Sequence, residues 1–413
     1  MSESLVSPER RRNYYLLILS VSSMMITAST IYMVFPLFFA EHGISNTQSG
    51  VLISIGTLAG VLSGLLAGKF SDSFGRKWIL VGGTGIYAIV FYLFAFMSKD
   101  FTTFFLLRFF EGIGFYVMPV MVSAMCADTF ERQERGRMMS MFSMAGGIGQ
   151  LIGPLSAPYL INGDDYTMYF IFSGTFVLIS CIALAILVKE TLPNELRVKT
   201  APKIGFNFGN FLDSVKKLGK PFMLLLAAIL LYRTGYTLID PFFSVYMSDV
   251  LQLDLSNMSY LFALRAVCTL IFAPIAGYLA DKWGRKPTFV VSMALVAIAL
   301  VAYTRMTQPY HIYYVRALDA IAGVVVFNSI RTITADLLAP EVRGFGMGLY
   351  STISQESSTV GAIFGGYLID AMGYNMVFLV AALLAGLSLG IVQLFIDEPA
   401  ETPVNQTVAP MAH

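Results

Sequence analysis

Charge is scarce in this chain of 413 residues. Lys, Arg, Asp and Glu together make up 13% of it, about half the share of an ordinary soluble domain. Cysteine and histidine are scarcer still, at three residues each. Cys126, Cys181 and Cys268 all fall inside apolar runs, so neither a disulfide framework nor a metal-ligand spacing exists. His42, His311 and His413 are too scattered to form a metal cluster. No phosphate loop, nucleotide motif or Ser/His/Asp array is visible, which argues against an enzyme and against a cofactor or metal. A net charge of +1 gives no footing for nucleic acid. What is abundant is apolar: 56% of the residues, with a mean hydropathy of +0.70. That composition places the chain in a lipid bilayer. No signal peptide is expected, because Arg10, Arg11 and Arg12 precede an apolar run too long for one.

A bilayer core of about 30 Å needs roughly 20 apolar residues per helix. Twelve such spans are read, at 14–40, 47–70, 77–97, 102–126, 138–160, 167–188, 221–247, 257–280, 287–304, 312–336, 344–369 and 374–396. Most connections are short. The exception, residues 189–220, is rich in Lys; it is either a solvated linker or a segment that lies on anionic lipid. The basic residues set the orientation. With the N-terminus inside, the outer loops hold only Lys99 and Arg305, and five arginines lie within spans: Arg108, Arg233, Arg265, Arg316 and Arg331. The remaining twenty of the 27 Lys and Arg fall on the inner side. The expectation is a multi-pass protein of the cell (inner, plasma) membrane with both termini cytoplasmic.

The chain repeats itself. "GKFSDSFGRK" (Gly68–Lys77) returns as "GYLADKWGRK" (Gly277–Lys286). "RFFEGIGFYVMPVMVSAMCAD" (Arg108–Asp128) aligns without a gap on "RALDAIAGVVVFNSIRTITAD" (Arg316–Asp336). The same phase pairs Arg135-Gly136 with Arg343-Gly344 and Gly153 with Gly361. The expected organisation is an N-terminal six-helix bundle (1–188), a cytoplasmic linker (189–220) and a C-terminal six-helix bundle with a short tail (221–413). Halves of like orientation place a binding site near the membrane midplane, between them.

These motifs resemble those of the major facilitator superfamily, and the likeness covers essentially the whole chain. Its loop signature Gly-x-x-x-Asp-x-x-Gly-Arg-Lys is matched at Gly68, Asp72, Gly75, Arg76 and Lys77, and again at Gly277, Asp281, Gly284, Arg285 and Lys286. Its span 4 pattern is matched at Arg108, Gly112 and Gly114. Its antiporter pattern in span 5 is matched at Gly149, Gly153 and Pro154, and departs where Ala157-Pro158 replaces Gly-Gly. The resemblance implies an all-α membrane protein of two pseudo-symmetric six-helix bundles. It further implies alternating access, and a drug:proton antiporter-like exporter. It gives Arg108 a part in proton coupling and Gly153-Pro154 a part in gating.

Asp72 ends an inward-running helix, where a carboxylate is unfavourable and needs compensation. Arg76, one turn on, supplies it, and the free N–H groups starting span 11 near Gly344 would do so across the halves. Asp281 stands in the same relation to the start of span 5 near Gly136, with Asp128 and Asp336 completing the two networks through Arg76 and Arg285. Two readings follow: a cytoplasmic gate that latches shut, or a basic turn that only keeps the loop inside.

Charges inside a bilayer cost about 2.5 kcal/mol or more at its centre, so each asks for a partner and a role. Arg108 and Glu111, and likewise Arg316 and Asp319, are spaced to pair on one helix face. Span 7 carries Arg233 and Asp240, the latter before Pro241, where the helix should kink. Arg265 lies in span 8, Arg331 in span 10, and Gln355-Glu356 in span 11. The candidates for proton coupling are Asp240, then Glu356, with Arg108 and Glu111. Those for substrate contact are Arg233, Arg265, Arg331, Tyr32 and Gln355. The alternative is a fixed network, Asp240 with Arg233 or Arg265 and Glu356 with Arg331, that only holds helices together. The sequence thus reads as a monomeric secondary transporter, with protons and a small-molecule substrate as partners. Proton-coupled export of amphipathic or lipophilic compounds stands first. A symporter or facilitator for a small polar or anionic solute, or a lipid translocase, stands as the alternative.

Overall fold

In a computed structural model, residues 7–193, 195, 197, 215, 217–306, 308–339 and 342–397 are described. The described chain is helical. Span 1 is α1 (Pro8–Ser29) and α2 (Ile31–Glu41). Spans 2 to 6 are α3 (Asn46–Phe74), α4 (Arg76–Phe96), α5 (Phe101–Thr129), α6 (Arg132–Leu160) and α7 (Thr167–Leu187). Span 7 is α8 (Lys220–Thr237), a 3-10 turn (Asp240–Phe242) and α9 (Phe243–Asp249). Spans 8 to 12 are α10 (Leu255–Trp283), α11 (Arg285–Tyr303), α12 (His311–Asp336), α13 (Arg343–Met372) and α14 (Tyr374–Phe395). Among the described residues nine helices are long and apolar enough to cross a membrane, and the bent pair α1–α2 adds a tenth. The two that complete the twelve, α6 and α13, are richer in Gly, Ser and Gln. Most of the expected linker and the tail after Asp397 lie outside the described residues.

Local chemistry sets the ends. Ser45 and Gln48 form a reciprocal capping box at the start of α3. Asp100 caps α5 by accepting from the Thr103 N–H, and the Thr103 backbone and hydroxyl hold its carboxyl below the usual range. Asp254 caps α10 through Asn257. Gly75 (φ 96°) and Gly284 (φ 91°) turn the chain between α3 and α4 and between α10 and α11. Only glycine enters that region without strain, which is why both decapeptides carry it.

The repeat seen in the sequence is a repeat in space. Both α3 and α10 have 29 residues. Span 1 breaks after Ser29 and span 7 after Thr237, positions in the same phase. The Ser29 hydroxyl donates to the Gly149 carbonyl at 2.7 Å, and the Thr237 hydroxyl donates to the Ser357 carbonyl at 3.0 Å. Gly153 and Gly361 lie against those same hydroxyl-bearing turns, with no room for a β-carbon. Long apolar side chains such as Leu65, Ile186, Leu383 and Leu394 point outward and form the lipid-facing surface.

The halves meet through α3 with α13, α6 with α10, and α2 with α9. The contact is uneven along the helices. At the face opposite the decapeptides the backbones of α3 and α13 touch, Gly50 on Ala362 and Gly366 on Asn46. Ser54 donates to the Thr359 carbonyl at 2.8 Å. At the basic face that carries the decapeptides, a β-carbon at Gly136, Gly277, Gly344 or Gly348 would meet nothing within 4 Å. Among the described residues no hydrogen bond joins the halves there. The molecule is therefore closed at the opposite face and open at the basic one.

Asp370, at the end of α13, clasps the closed face. It accepts from the Asn46 backbone and side chain at 3.3 and 2.9 Å and from the Thr47 backbone and hydroxyl at 2.8 and 2.6 Å. A carboxylate suits the free N–H groups and positive dipole of the α3 N-terminus. Hydrogen bonds to a charged group contribute about 1.5–3 kcal/mol, and exposure of Asp370 reduces this to about 1 kcal/mol. Asp370→Asn should therefore loosen closure here. Spin labels on the ends of α3 and α13 at this face should report a longer mean distance, and an unchanged distance distribution would show that the clasp is idle.

Candidate functional site

The open face leads into a cavity between the halves. One part, of about 440 Å³, is lined by Tyr32, Thr57 and Tyr116 from the first half and by Arg233, Phe327, Arg331, Met347, Tyr350, Ser351, Ser354, Gln355 and Ser358 from the second. A second part, of about 250 Å³, shares Arg233 and Phe327 and adds Gln150, Tyr232, Tyr236, Arg265, Thr269, Asp319, Ala320, Gly323 and Val324. Spacing explains the second-half wall. Arg233 and Tyr236 lie three residues apart within α8, so one helix face brings both inward.

Asp240 opens the 3-10 turn. The kink expected at Pro241 is present, since a proline has no N–H to continue the helix. Asp240 pairs with Arg265 at 2.6 Å, and not with Arg233. The Arg265 guanidinium also lies 5.4 Å from the Tyr236 ring centroid. Arg316 and Asp319 pair at 3.3 Å with both side chains almost fully buried. Arg316 stacks on Phe243 at 4.1 Å, while its Nε and Nη2 and one Asp319 oxygen have no hydrogen-bond partner. Arg108 and Glu111 pair at 2.6 Å, with side chains 5% and 4% exposed. Arg108 also donates to the Leu52 carbonyl at 3.1 Å.

The structure therefore sorts the candidates. Tyr32, Arg233, Arg265, Arg331 and Gln355 line the cavity. Asp240 reaches it through Arg265. Arg108 and Glu111 are buried inside the first half, away from the lining. Glu356 is half-buried on α13, is not a lining residue, and has no ion-pair partner among the described residues. The alternative pairings of Glu356 with Arg331 and of Asp240 with Arg233 are not formed. Sequence reasoning passed over Asp319 as part of a wall and Gln150 altogether. Gln150 had a visible signal, being a lone amide in a glycine-rich apolar stretch. Tyr236, Tyr350 and Phe327 had none, since tyrosine and phenylalanine are spread throughout.

At the basic face the networks stay within each half. Arg76 pairs with Asp72 at 2.6 Å and with Asp128 at 3.3 Å, and donates to Ser71 at 2.5 Å. Arg285 pairs with Asp336. Asp281 has no ion-pair partner among the described residues, and neither Asp72 nor Asp281 reaches across to the opposite half. Their expected partners near Gly344 and Gly136 stand in open space because this face is open. Glu190, which the sequence did not single out, accepts from the Arg76 and Lys77 backbones at 2.9 and 3.2 Å. It caps the N-terminus of α4. Gly149, Gly153 and Pro154 are buried; Gly149 and Gly153 lie against the Met25–Thr30 turns of span 1, so this segment brings two helices close.

Comparison with known proteins agrees with this architecture. Multidrug resistance protein 2 of Bacillus subtilis (strain 168) is 23% identical over 393 residues, covering 93% of this chain and 96% of that one. Multidrug resistance protein MdtG of Enterobacter lignolyticus (strain SCF1) is 23% identical over 346 residues, covering 83% and 81%. In fold, the chain resembles a bacterial homologue of the human lysosomal transporter Spinster, solved in an inward-facing, unoccupied conformation. The TM-score is 0.76 at 15% sequence identity, covering 94% of this chain and 96% of that one. The sequence model of the Major Facilitator Superfamily matches residues 17–232 and 225–412. With both six-helix halves matched, and a cavity between them open to one face only, the chain belongs to the major facilitator superfamily of membrane transporters.

Proposed function

We propose that the chain exports small amphipathic or lipophilic compounds, coupled to proton entry, by alternating access. The observation that carries this reading is the cavity: it lies between halves that touch at the face opposite the decapeptides, and its wall includes Arg265, which is paired with Asp240. The basic face is assigned to the cytoplasm by its share of Lys and Arg, so the present state is inward-open. The halves, residues 1–188 and 221–413, rock about the cavity. Closure of the basic face brings Asp72 to the start of α13 and Asp281 to that of α6. Opening of the other face parts Asp370 from α3.

Asp240 is the coupling acid. A proton on it removes the counter-charge of Arg265, so proton and substrate alter each other's binding. The Tyr and Phe side chains adapt to varied apolar bodies, and the relatives named as multidrug resistance proteins support the same substrate class. The test is dye flux in proteoliposomes with and without a pH gradient. Wild type should gain flux from the gradient, and Asp240→Asn should abolish that gain. Glu356→Gln should keep it, because among the described residues Glu356 neither lines the cavity nor pairs with a residue that does. Full gradient-driven flux in Asp240→Asn would remove Asp240 from the coupling role.

A further inference from the structure

The charges of the cavity wall do not balance. Four charged residues line it: Arg233, Arg265, Arg331 and Asp319. Arg265 is neutralised by Asp240 and Asp319 by Arg316. Arg233 and Arg331 have no carboxylate within 4.0 Å among the described residues. Arg233 donates one hydrogen bond, to the Ser358 hydroxyl at 3.3 Å, and its Nε is buried with no partner. Arg331 is exposed, and both arginines border the same 440 Å³ space.

An arginine cannot shed its charge by losing a proton. Left without a counter-ion beside a low-dielectric wall, it favours an anion over a cation. Its planar fork of donors matches a carboxylate, sulfonate or phosphate bidentately. The neighbouring Ser354, Ser358 and Gln355 are further polar groups suited to such a head. Phe327, Met347 and the tyrosines supply an apolar bed for a ring or short alkyl body.

We propose that the cargo of this cavity is an amphipathic organic anion, its acidic group held between Arg233 and Arg331. The proposal rests on the cavity being the transport site and does not depend on the direction of transport. It is compatible with export, since an anion leaving a cell that is negative inside moves down the membrane potential, by about 2.3 kcal/mol per charge per 100 mV. The recognition is one-sided. In the phase of the repeat, Met25 and Ser123 occupy the places of Arg233 and Arg331, so the first half contributes only neutral groups.

The test uses the full chain in detergent and two probes sharing one ring system, naphthalene-2-sulfonate and 2-naphthyltrimethylammonium. Equilibrium binding should favour the sulfonate by about tenfold or more. Arg233→Gln and Arg331→Gln should each weaken the sulfonate, and the double variant should bring it to the level of the ammonium probe. Thermal melting of each variant checks that it is folded. Equal or tighter binding of the ammonium probe overturns the proposal, as does sulfonate binding that both folded variants leave unchanged, or no binding of either probe. Flux of a neutral dye in proteoliposomes reads the transport site separately. Flux without sulfonate preference overturns the anion inference and leaves the transporter standing. Tight, arginine-dependent sulfonate binding with no flux of any probe upholds the anion site and overturns the transport reading.

Discussion

Arg108→Gln is expected to destabilise the protein by about 3–5 kcal/mol, the usual cost of leaving one partner of a buried ion pair uncompensated. The geometry leaves no escape route. The Arg108 and Glu111 side chains are 5% and 4% exposed, so water cannot take the place of the guanidinium. The same change removes the hydrogen bond that Arg108 Nε donates to the Leu52 carbonyl, and takes the cation from over the Phe35 ring at 5.0 Å. The melting temperature of purified protein is the measurement, and an unchanged value would show that the pair contributes nothing net. The double variant Arg108→Gln, Glu111→Gln should recover most of the stability, because no charge is then stranded. Transport by that double variant separates two roles. Recovery of gradient-driven flux together with stability marks the pair as structural. Recovered stability with flux still lost marks it as part of coupling.

Gly366→Val should hold open the face opposite the decapeptides. Gly366 lies against the backbone of Asn46 and Thr47, and Gly50 against that of Ala362 and Ile363. Rigid main chain cannot step aside as a flexible side chain does, so added methyl groups keep α3 and α13 apart. Overpacking costs about 1–3 kcal/mol, and here the cost falls only on the state in which this face is shut. A state-specific cost of that size shifts the equilibrium by roughly 5- to 150-fold. A cysteine at Ser54, which bonds the Thr359 carbonyl across the closed interface, should then react faster with an impermeant maleimide added on that side of the membrane. Flux should fall in parallel. An unaltered labelling rate would mean that the face opens and closes without regard to this contact.

The spans were legible because lipid enforces a simple code of long apolar runs broken by short polar turns. The largest shifts are at the basic face, where span 2 runs on to Phe74, span 4 to Thr129 and span 8 to Trp283, and span 5 starts at Arg132, because a helix can continue past the hydrocarbon; after Phe74 and Trp283 a glycine turns the chain. The kink at Asp240-Pro241 was legible from proline chemistry. Its counterpart after Ser29 was not, because no proline stands there; at that break the Ser29 and Thr30 hydroxyls bond back to the carbonyls of Ile26 and Thr27.

Residue type and spacing were enough for the i, i+3 pairs Arg108–Glu111 and Arg316–Asp319, since partners one turn apart on one helix meet whatever the rest of the fold does. They were not enough for Asp240, which has Arg233 two turns away on its own helix and Arg265 on another. The fold chose Arg265, because the break after Thr237 takes Asp240 out of helical register with Arg233. The same distinction explains Asp370. In the sequence it is one polar residue at the end of a span; in space it caps a helix 324 positions away. Periodicity, charge bias and repeat phase are properties of the chain, so membrane class, twelve spans and two like halves could be read directly from it. Which face is shut, which arginines lack a counter-ion and which carboxylate meets the cavity depend on how helices distant in sequence approach each other, and that is set by backbone contacts such as Gly50 on Ala362 and Gly366 on Asn46.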